Sequence, residues 1–286
     1  MAGASAPNTE ASLWKVLIQR KSVLLGLIIL GIIAFFAVFA PLISPIDPSA
    51  MSVRNRLTPP GAAYWFGSDE FGRDQFTRLI YAGRVSLAVG LGVAIFSSII
   101  GIFLGLMGGF FKRLDAPVSR LIDAMMAFPD ILLAISLVAA FGGSLTNMIL
   151  ALSIVYAPRI ARIVRASTLV IRELTYVEAA RALGVSTPRI LVNHILRNMV
   201  SPVIVQATFV FAYAMLAEAG LSFLGVGVDP STPTWGTMIN AGRQYIDHAS
   251  WMILFPGVAI TVCVLSLQIS GDGLRDALDP RISRRL

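Results

Sequence analysis

Residues 23–40 are eighteen consecutive positions, every one apolar or glycine. As a helix rising about 1.5 Å per residue, such a run crosses most of a hydrocarbon layer of roughly 30 Å. Backbone amides inside that layer find no water, so a spanning segment must satisfy them itself, and a helix does. The composition agrees with this reading: 56% of the 286 residues are hydrophobic and 14% charged, against about a quarter charged in soluble domains. The mean hydropathy is +0.77. These values exclude a water-soluble core and a disordered chain. A cleaved leader is the rival for the first run, with Ala40 as the small residue before the cut. Leader cores are shorter, however, about 7–15 residues, and Pro41 would follow the cut. The run is read as an uncleaved anchor over 23–43, behind a short tail (1–22) whose first dozen residues read as disordered.

Five further segments reach spanning length, at about 85–111, 121–141, 145–163, 201–221 and 251–270. They are continuously apolar rather than alternating, which points to helices and not to barrel strands. The expected fold is therefore an all-α integral membrane protein with six transmembrane helices. Lysines and arginines set its orientation. With the N-terminus inside, 17 of the 23 basic residues fall in inner segments and 6 in outer ones, which places both termini in the cytoplasm. The loop 44–84 runs against the trend, since it holds Arg54, Arg56, Arg73, Arg78 and Arg84. Asp69, Glu70 and Asp74 lie nearby, and Tyr64, Trp65 and Phe66 read as interfacial anchors. In a membrane chain the formal charge of +7 is explained by cationic inner loops, not by a nucleic-acid partner.

Ionisable and small residues within the spans supply the next candidates. Asp123, Asp130 and Glu218 stand at membrane depth, where a carboxylate is costly and defaults to a functional role. Asp123 is assigned to a headgroup-level ion pair with Arg120. Asp130 follows Pro129, and Glu218 lies near the outer end of its span, within reach of water; these two are the candidates for a translocation path. Gly101, Gly105 and Gly109 form two overlapping Gly-x-x-x-Gly units on one helix face, suited to close backbone contact. Cys263 is the only cysteine, and His194 and His248 are the only histidines. A disulfide framework, a cysteine metal site and a histidine-based metal centre are thus excluded. There is no Gly-Lys dipeptide, so no phosphate-cradling P-loop can form.

The stretch 159–199 is the most informative. Arg159, Arg162 and Arg165 recur every third residue and extend the fourth helix with a basic face at headgroup level. Thr175 and Glu178 have the spacing of a capping box, starting a short helix over 176–183 that Gly184 stops in a left-handed conformation. Ser186 then caps a second helix, with Pro188 in its first turn, that runs through Ile195. Ala179, Ala180 and Ala182 give the first member a small-residue surface. The expected product is a compact helix–turn–helix knob. It is able to transmit a push as a rigid body, and membrane helices flank it too closely for DNA binding.

Here the residues carry a resemblance. Glu178-Ala179-Ala180 followed by Gly184 resembles the EAA loop of ATP-binding-cassette (ABC) importer permeases. So do other stretches over nearly the whole chain from about residue 20. They are Phe66-Gly67-Ser68-Asp69, Gly72-Arg73-Asp74, Arg84-Val85-Ser86-Leu87, Leu221-Ser222-Phe223-Leu224-Gly225, Pro233-Thr234-Trp235-Gly236, and the tail from Gly271 to Pro280. These are similar to the C-type subunit of the dipeptide, oligopeptide, nickel and glutathione systems. One departure is Arg197, where proline usually follows His194-Ile195-Leu196; it bears on the bend after the knob. The resemblance implies a type I ABC importer permease fold with its core over 85–271 and a cytoplasmic C-tail over 272–286. It implies coupling helices over 175–198, with Thr175, Glu178, Ala179, Ala180, Arg181 and Gly184 at the contact with an ATPase. This chain would then bind no cofactor; ATP and magnesium would sit on two partner ATPase subunits. A homologous second permease and an extracytoplasmic substrate-binding protein are the other implied partners, in a bacterial inner membrane. The implied activity is peptide import by alternating access, with nickel, glutathione or another small solute as alternatives. A proton- or sodium-driven secondary transporter needs inverted repeats and midplane ion ligands; no repeat is visible. A membrane enzyme needs a clustered nucleophile or metal set, and none is present.

Overall fold

The computed structural model describes residues 21–229 and 231–278. The basic residues of the N-tail before Lys21, its expected disorder, and Asp279, Pro280, Arg281, Arg284 and Arg285 lie outside the described residues. The described residues are mainly helical, apart from the long loop at 44–74. Among the described residues no β-strand forms, and one isolated bridge joins Ser68 and Asp74. The helices in chain order are α1 (Lys21–Val38), α2 (Gln75–Phe110), α3 (Lys112–Ala127), α4 (Asp130–Phe141), α5 (Leu145–Ile171), α6 (Thr175–Ala182), α7 (Thr187–Phe223), α8 (Trp235–Gly242) and α9 (Trp251–Leu278). Five of them (α1, α2, α5, α7, α9) are long and apolar enough to cross a membrane. The bent pair α3–α4 makes a sixth span if counted as one. Residues 44–74 mark one end of the bundle, the loop end; α6 marks the other, the knob end.

Several elements differ from the sequence expectation. Helix α2 begins ten residues before position 85. Asp74 caps it, accepting the Thr77 amide at 2.7 Å and the Thr77 hydroxyl at 2.6 Å, a signal hidden inside a charged segment. The expected continuous helix 121–141 is instead two helices meeting at 97°. Proline at 129 bars Phe128 from the helical region, and Phe128 is extended at φ −87°, ψ 141°. The first of the two, α3, starts already at Lys112 and is amphipathic, with only Ile122 buried.

The core centres on α2 against α5. A Cβ on Gly101 would lie 2.7 Å from the Ile160 Cβ, one on Gly105 2.5 Å from the Val164 Cβ, and one on Gly109 2.5 Å from the Thr168 Cβ. The glycine face of α2 thus lets the α5 backbone approach, replacing side-chain volume by dispersion contact. Met148, Leu152, Ile160 and Val164 are buried beside it, together with Met199 and Val210 of α7. A second cluster holds Trp235 of α8 and Met215 of α7 against Cys263 and Leu267 of α9. Helix α1 adds no buried residue to either cluster and packs Leu30 and Ile33 against the edge of the second. It rests on α9, with Gly26 close to Ser266 and Ser270, and turns Leu25, Ile28, Ile32 and Phe35 outward. That is the surface expected of a helix whose solvent is lipid.

Candidate functional site

The knob is built as a rigid body, by means partly different from those the sequence suggests. Helix α6 starts one residue early. Leu174 is its N-cap, the Glu178 amide donates to the Leu174 carbonyl at 3.2 Å, and no side chain caps it. The Thr175–Glu178 capping box therefore does not form. The backbone turns from Ile171 to Leu174 already fix the start, and Thr175 stands inside the helix. Its end is as read. Gly184 adopts φ +79°, the Val185 amide reaches the Ala180 carbonyl at 3.0 Å, and the Gly184 amide reaches the Arg181 carbonyl at 3.0 Å. These two bonds make a Schellman stop that only glycine adopts without strain. Ser186 holds the cap position of the next helix, but its hydroxyl makes no capping bond.

Burial divides α6 into two faces. Val177 and Ala180 are buried in the main core with Ile190, Leu191 and Ile195 of α7. Ala180 therefore fastens the knob and does not belong to its outer surface, because the helix turns it inward beside Val177. Glu178, Ala179, Arg181, Ala182 and Gly184 are exposed, and Leu183 is 84% exposed. Arg181 leans over the Phe110 ring at 4.9 Å. Asn198 donates to the Tyr176 hydroxyl at 3.1 Å and to the His194 carbonyl at 2.6 Å, closing the rear of the knob. What remains outside is a small, convex patch with a leucine at its tip and an unengaged carboxylate, Glu178, beside it.

The second member of the expected helix–turn–helix is not separate from the span that follows. Residues 187–223 form one helical run, with a π-helical stretch at Ile190–Leu196. The Arg197 amide donates to the Val192 carbonyl five residues back. Proline at that position has no such donor, so arginine here lets α7 run on without a break.

The basic stripe of α5 is neutralised within the chain. Arg165 pairs with Asp115 at 2.5 Å and Arg162 with Asp123 at 2.8 Å, while Arg159 pairs with Asp130. Positions three apart on α5 present one ladder of guanidinium groups, and α3 and the first residue of α4 supply the carboxylates. Asp123 accordingly pairs with Arg162, not Arg120, because the bend carries α3 back across α5. At the corner itself Arg159 also stacks between Tyr213 (4.8 Å) and Tyr156 (5.4 Å). The pair is partly open, with side chains 29% and 35% accessible for Arg159 and Asp130.

Glu218 differs from Asp130. It is 1% exposed, not within reach of water as its position suggests. The Ser222 hydroxyl donates to it at 2.9 Å and the Ser86 hydroxyl at 3.3 Å, and Ser86 in turn accepts the Trp235 amide at 3.2 Å. Gly236 lies against Ala219 and Ser222 too closely for a side chain, so α8 seals the carboxylate from the loop end. At that end a second network was not legible in the sequence. Buried Asp69 accepts Arg73 Nε at 2.6 Å, the amides of Phe71 and Arg73 at 2.9 Å each, and lies 3.4 Å from Arg78 Nε. The spacing Asp69, Arg73, Arg78 was the available signal. Two of the five arginines that strain the charge rule are thereby paired inside the protein. Phe66, read as an interfacial anchor, instead stacks on Phe255 at 4.0 Å, while Trp65 remains exposed. Among the described residues no group of three or more His, Cys, Asp or Glu side chains could hold a metal ion.

Residues 97–284 match the family described as binding-protein-dependent transport system inner membrane component, and residues 11–60 match the N-terminal transmembrane domain of oligopeptide transport permease C. A protein of Brucella suis biovar 1 named as a peptide transport system permease is 51% identical over 93% of this chain and 90% of its own length. The dipeptide transport system permease protein DppC of Alkalihalophilus pseudofirmus is 44% identical over 98% of this chain and 91% of its own. The fold is similar to a chain of the inward-facing MetNI methionine ABC transporter. That match has a TM-score of 0.57 at 20% identity and covers 71% of this chain and 97% of the other. An EAA-type knob on a multi-pass helical bundle, matched over its core by a family model and over nearly its whole length by peptide permeases, leads to one conclusion: this chain belongs to the binding-protein-dependent inner-membrane permeases of ABC importers.

Proposed function

We propose that the chain is one translocation subunit of a peptide importer in the bacterial inner membrane, with its knob end and both termini in the cytoplasm. Two separate ATPase subunits carry the ATP, the magnesium and the hydrolysis. A homologous second permease completes the pathway, and an extracytoplasmic binding protein delivers the peptide to the loop end. ATP binding draws the knobs of the two permeases together and opens the cavity outward; hydrolysis returns it inward.

One observation carries this reading. The exposed face of α6, with Glu178, Ala179, Arg181 and Leu183 outward, is fastened to the bundle core by Val177 and Ala180. A protruding apolar side chain on a rigid helical support suits a hydrophobic groove on a partner, and a push on it moves α7 as a body. The relatives named as peptide and dipeptide permeases support the substrate class. The pairing of Arg73 and Arg78 with Asp69 supports the orientation, since it folds two of the opposing arginines into the protein interior.

The test is co-purification from detergent with the ATPase subunits. Glu178→Lys and Leu183→Asp change only outward-facing atoms of α6 and its C-cap, so the permease should fold and the ATPase should be lost from it, by about tenfold for the leucine at about 1.4 kcal/mol. Full ATPase recovery with both variants would refute the coupling role.

A further inference from the structure

The corner between α3 and α4 lies where lipid cannot cover it. Helix α4 has 12 residues, a rise of about 18 Å in a layer of roughly 30 Å. Its first residue, Asp130, is therefore well inside the membrane. Arg159 stands six residues before Arg165 on α5, about 9 Å deeper than that headgroup-level partner of Asp115. Interrupted backbone at such depth persists only where protein covers it or where it lines a water-filled cavity, and part-open charges face the same restriction. The Asp130–Arg159 pair is part-open in this chain, with Tyr213 beside it 38% exposed.

The same faces continue toward the knob end as a groove. One turn beyond Arg159 is Ile163, and one turn beyond Tyr213 is Phe209. Both line a cavity of about 390 Å³ together with Ser201, Gln206 and Arg275. A charged corner, a tyrosine and a polar-edged groove thus form one track from mid-membrane to the knob end.

We propose that this track is the chain's share of the aqueous path, and that the Asp130–Arg159 pair recognises a zwitterionic peptide by its two ends. The guanidinium, held in orientation by the Tyr213 and Tyr156 rings, takes the terminal carboxylate in bidentate fashion. The Asp130 carboxylate takes the terminal ammonium. The internal ion pair is exchanged for two intermolecular ones, so the charges stay paired with or without peptide. The proposal rests on the peptide-importer reading above.

A reporter cysteine at Phe209→Cys in the complete transporter tests it, because the native Cys263 is fully buried and does not compete. A water-soluble thiosulfonate should label the reporter in at least one nucleotide state. A free dipeptide should slow labelling, and the same dipeptide N-acetylated and C-amidated should not. Adding Arg159→Gln should weaken protection by the free dipeptide about tenfold, the size of one charge-assisted contact. No labelling in any nucleotide state would overturn the aqueous track, since the face is then sealed by lipid or by the second permease. Equal protection by the blocked dipeptide would overturn the recognition of charged ends, and this comparison needs no variant of the pair itself. ATP-driven dipeptide uptake by the parent complex separates the two levels. Uptake with charge-blind protection defeats this inference alone, whereas no uptake defeats the peptide reading beneath it.

Discussion

Oε2 of Glu70 is the single buried side-chain oxygen or nitrogen without a hydrogen-bond partner among the described residues. Burial, with Asp69 alongside, holds its carboxyl above the ordinary value of 4.5, against the opposing pull of Arg73 and Arg78. A carboxyl raised on folding favours the folded state when protonated, and that contribution disappears as pH rises through the folded value. Glu70→Gln should therefore stabilise the loop at neutral pH and lose its advantage below about pH 4, where both states of the parent are protonated. Thermal unfolding at pH 4 and pH 7.5 reads this directly; an advantage of the variant that is equal at both pH values would rule it out. Single residues were also where the sequence misled. The Thr175–Glu178 spacing is that of a capping box, yet a backbone turn through Leu174 starts the helix first. Glu218 looks solvent-accessible by position, but the chain turns back after α7 and α8 covers it.

Among the elements, those with a long apolar run were legible and those built from mixed segments were not. The α5 span and its basic extension follow from the residues alone. The partners of its arginines do not, because Asp115, Asp123 and Asp130 reach them only through the 97° turn at Pro129. Windows of hydropathy placed the start of α2 at the first apolar residue, past the Asp74 cap that sets it. The glycine face was visible as a pattern, and its mate was not. That mate makes a firm prediction: Gly105→Val brings carbon within 2.5 Å of Val164. Neither backbone can yield there without losing the α2–α5 contact, so the cost should be of order 1–3 kcal/mol or more. Thermal stability in detergent should fall accordingly, and an unchanged midpoint would mean that the two helices are less tightly apposed than described. The knob was legible as a motif. Its division into a fastened face at Val177 and Ala180 and a free face at Glu178 and Leu183 needed the packing.

For the molecule as a whole, the proposed orientation has a direct check. A cysteine at Ser186, exposed at the knob end, should react with an impermeant reagent only in inside-out vesicles. A cysteine at Ser231, exposed between α7 and α8, should react only in right-side-out vesicles. The opposite pattern would turn the molecule over and end the coupling reading. The bundle itself explains why six runs of apolar sequence predict so much: in lipid each run must be helical, and the remaining freedom lies in where a run bends, as at Pro129, and in which helices touch.

The unbroken course of residues 187–223 has a further consequence. A helix of 37 residues is a beam of about 55 Å, with Leu191 and Ile195 seated under the knob at one tip and Glu218 clasped by Ser86 and Ser222 near the other. Tilting it by about ten degrees around its midpoint carries each tip roughly 5 Å, more than the reach of the Ser86 hydrogen bond, whereas the Ser222 bond lies within the helix and moves with it. Under the coupling proposed above, nucleotide chemistry at the knob end and the grip on α8 near the loop end are two readings of a single angle. Reciprocity then requires, within that proposal, that whatever loosens the Glu218–Ser86 contact also changes how tightly a coupled ATPase holds its nucleotide.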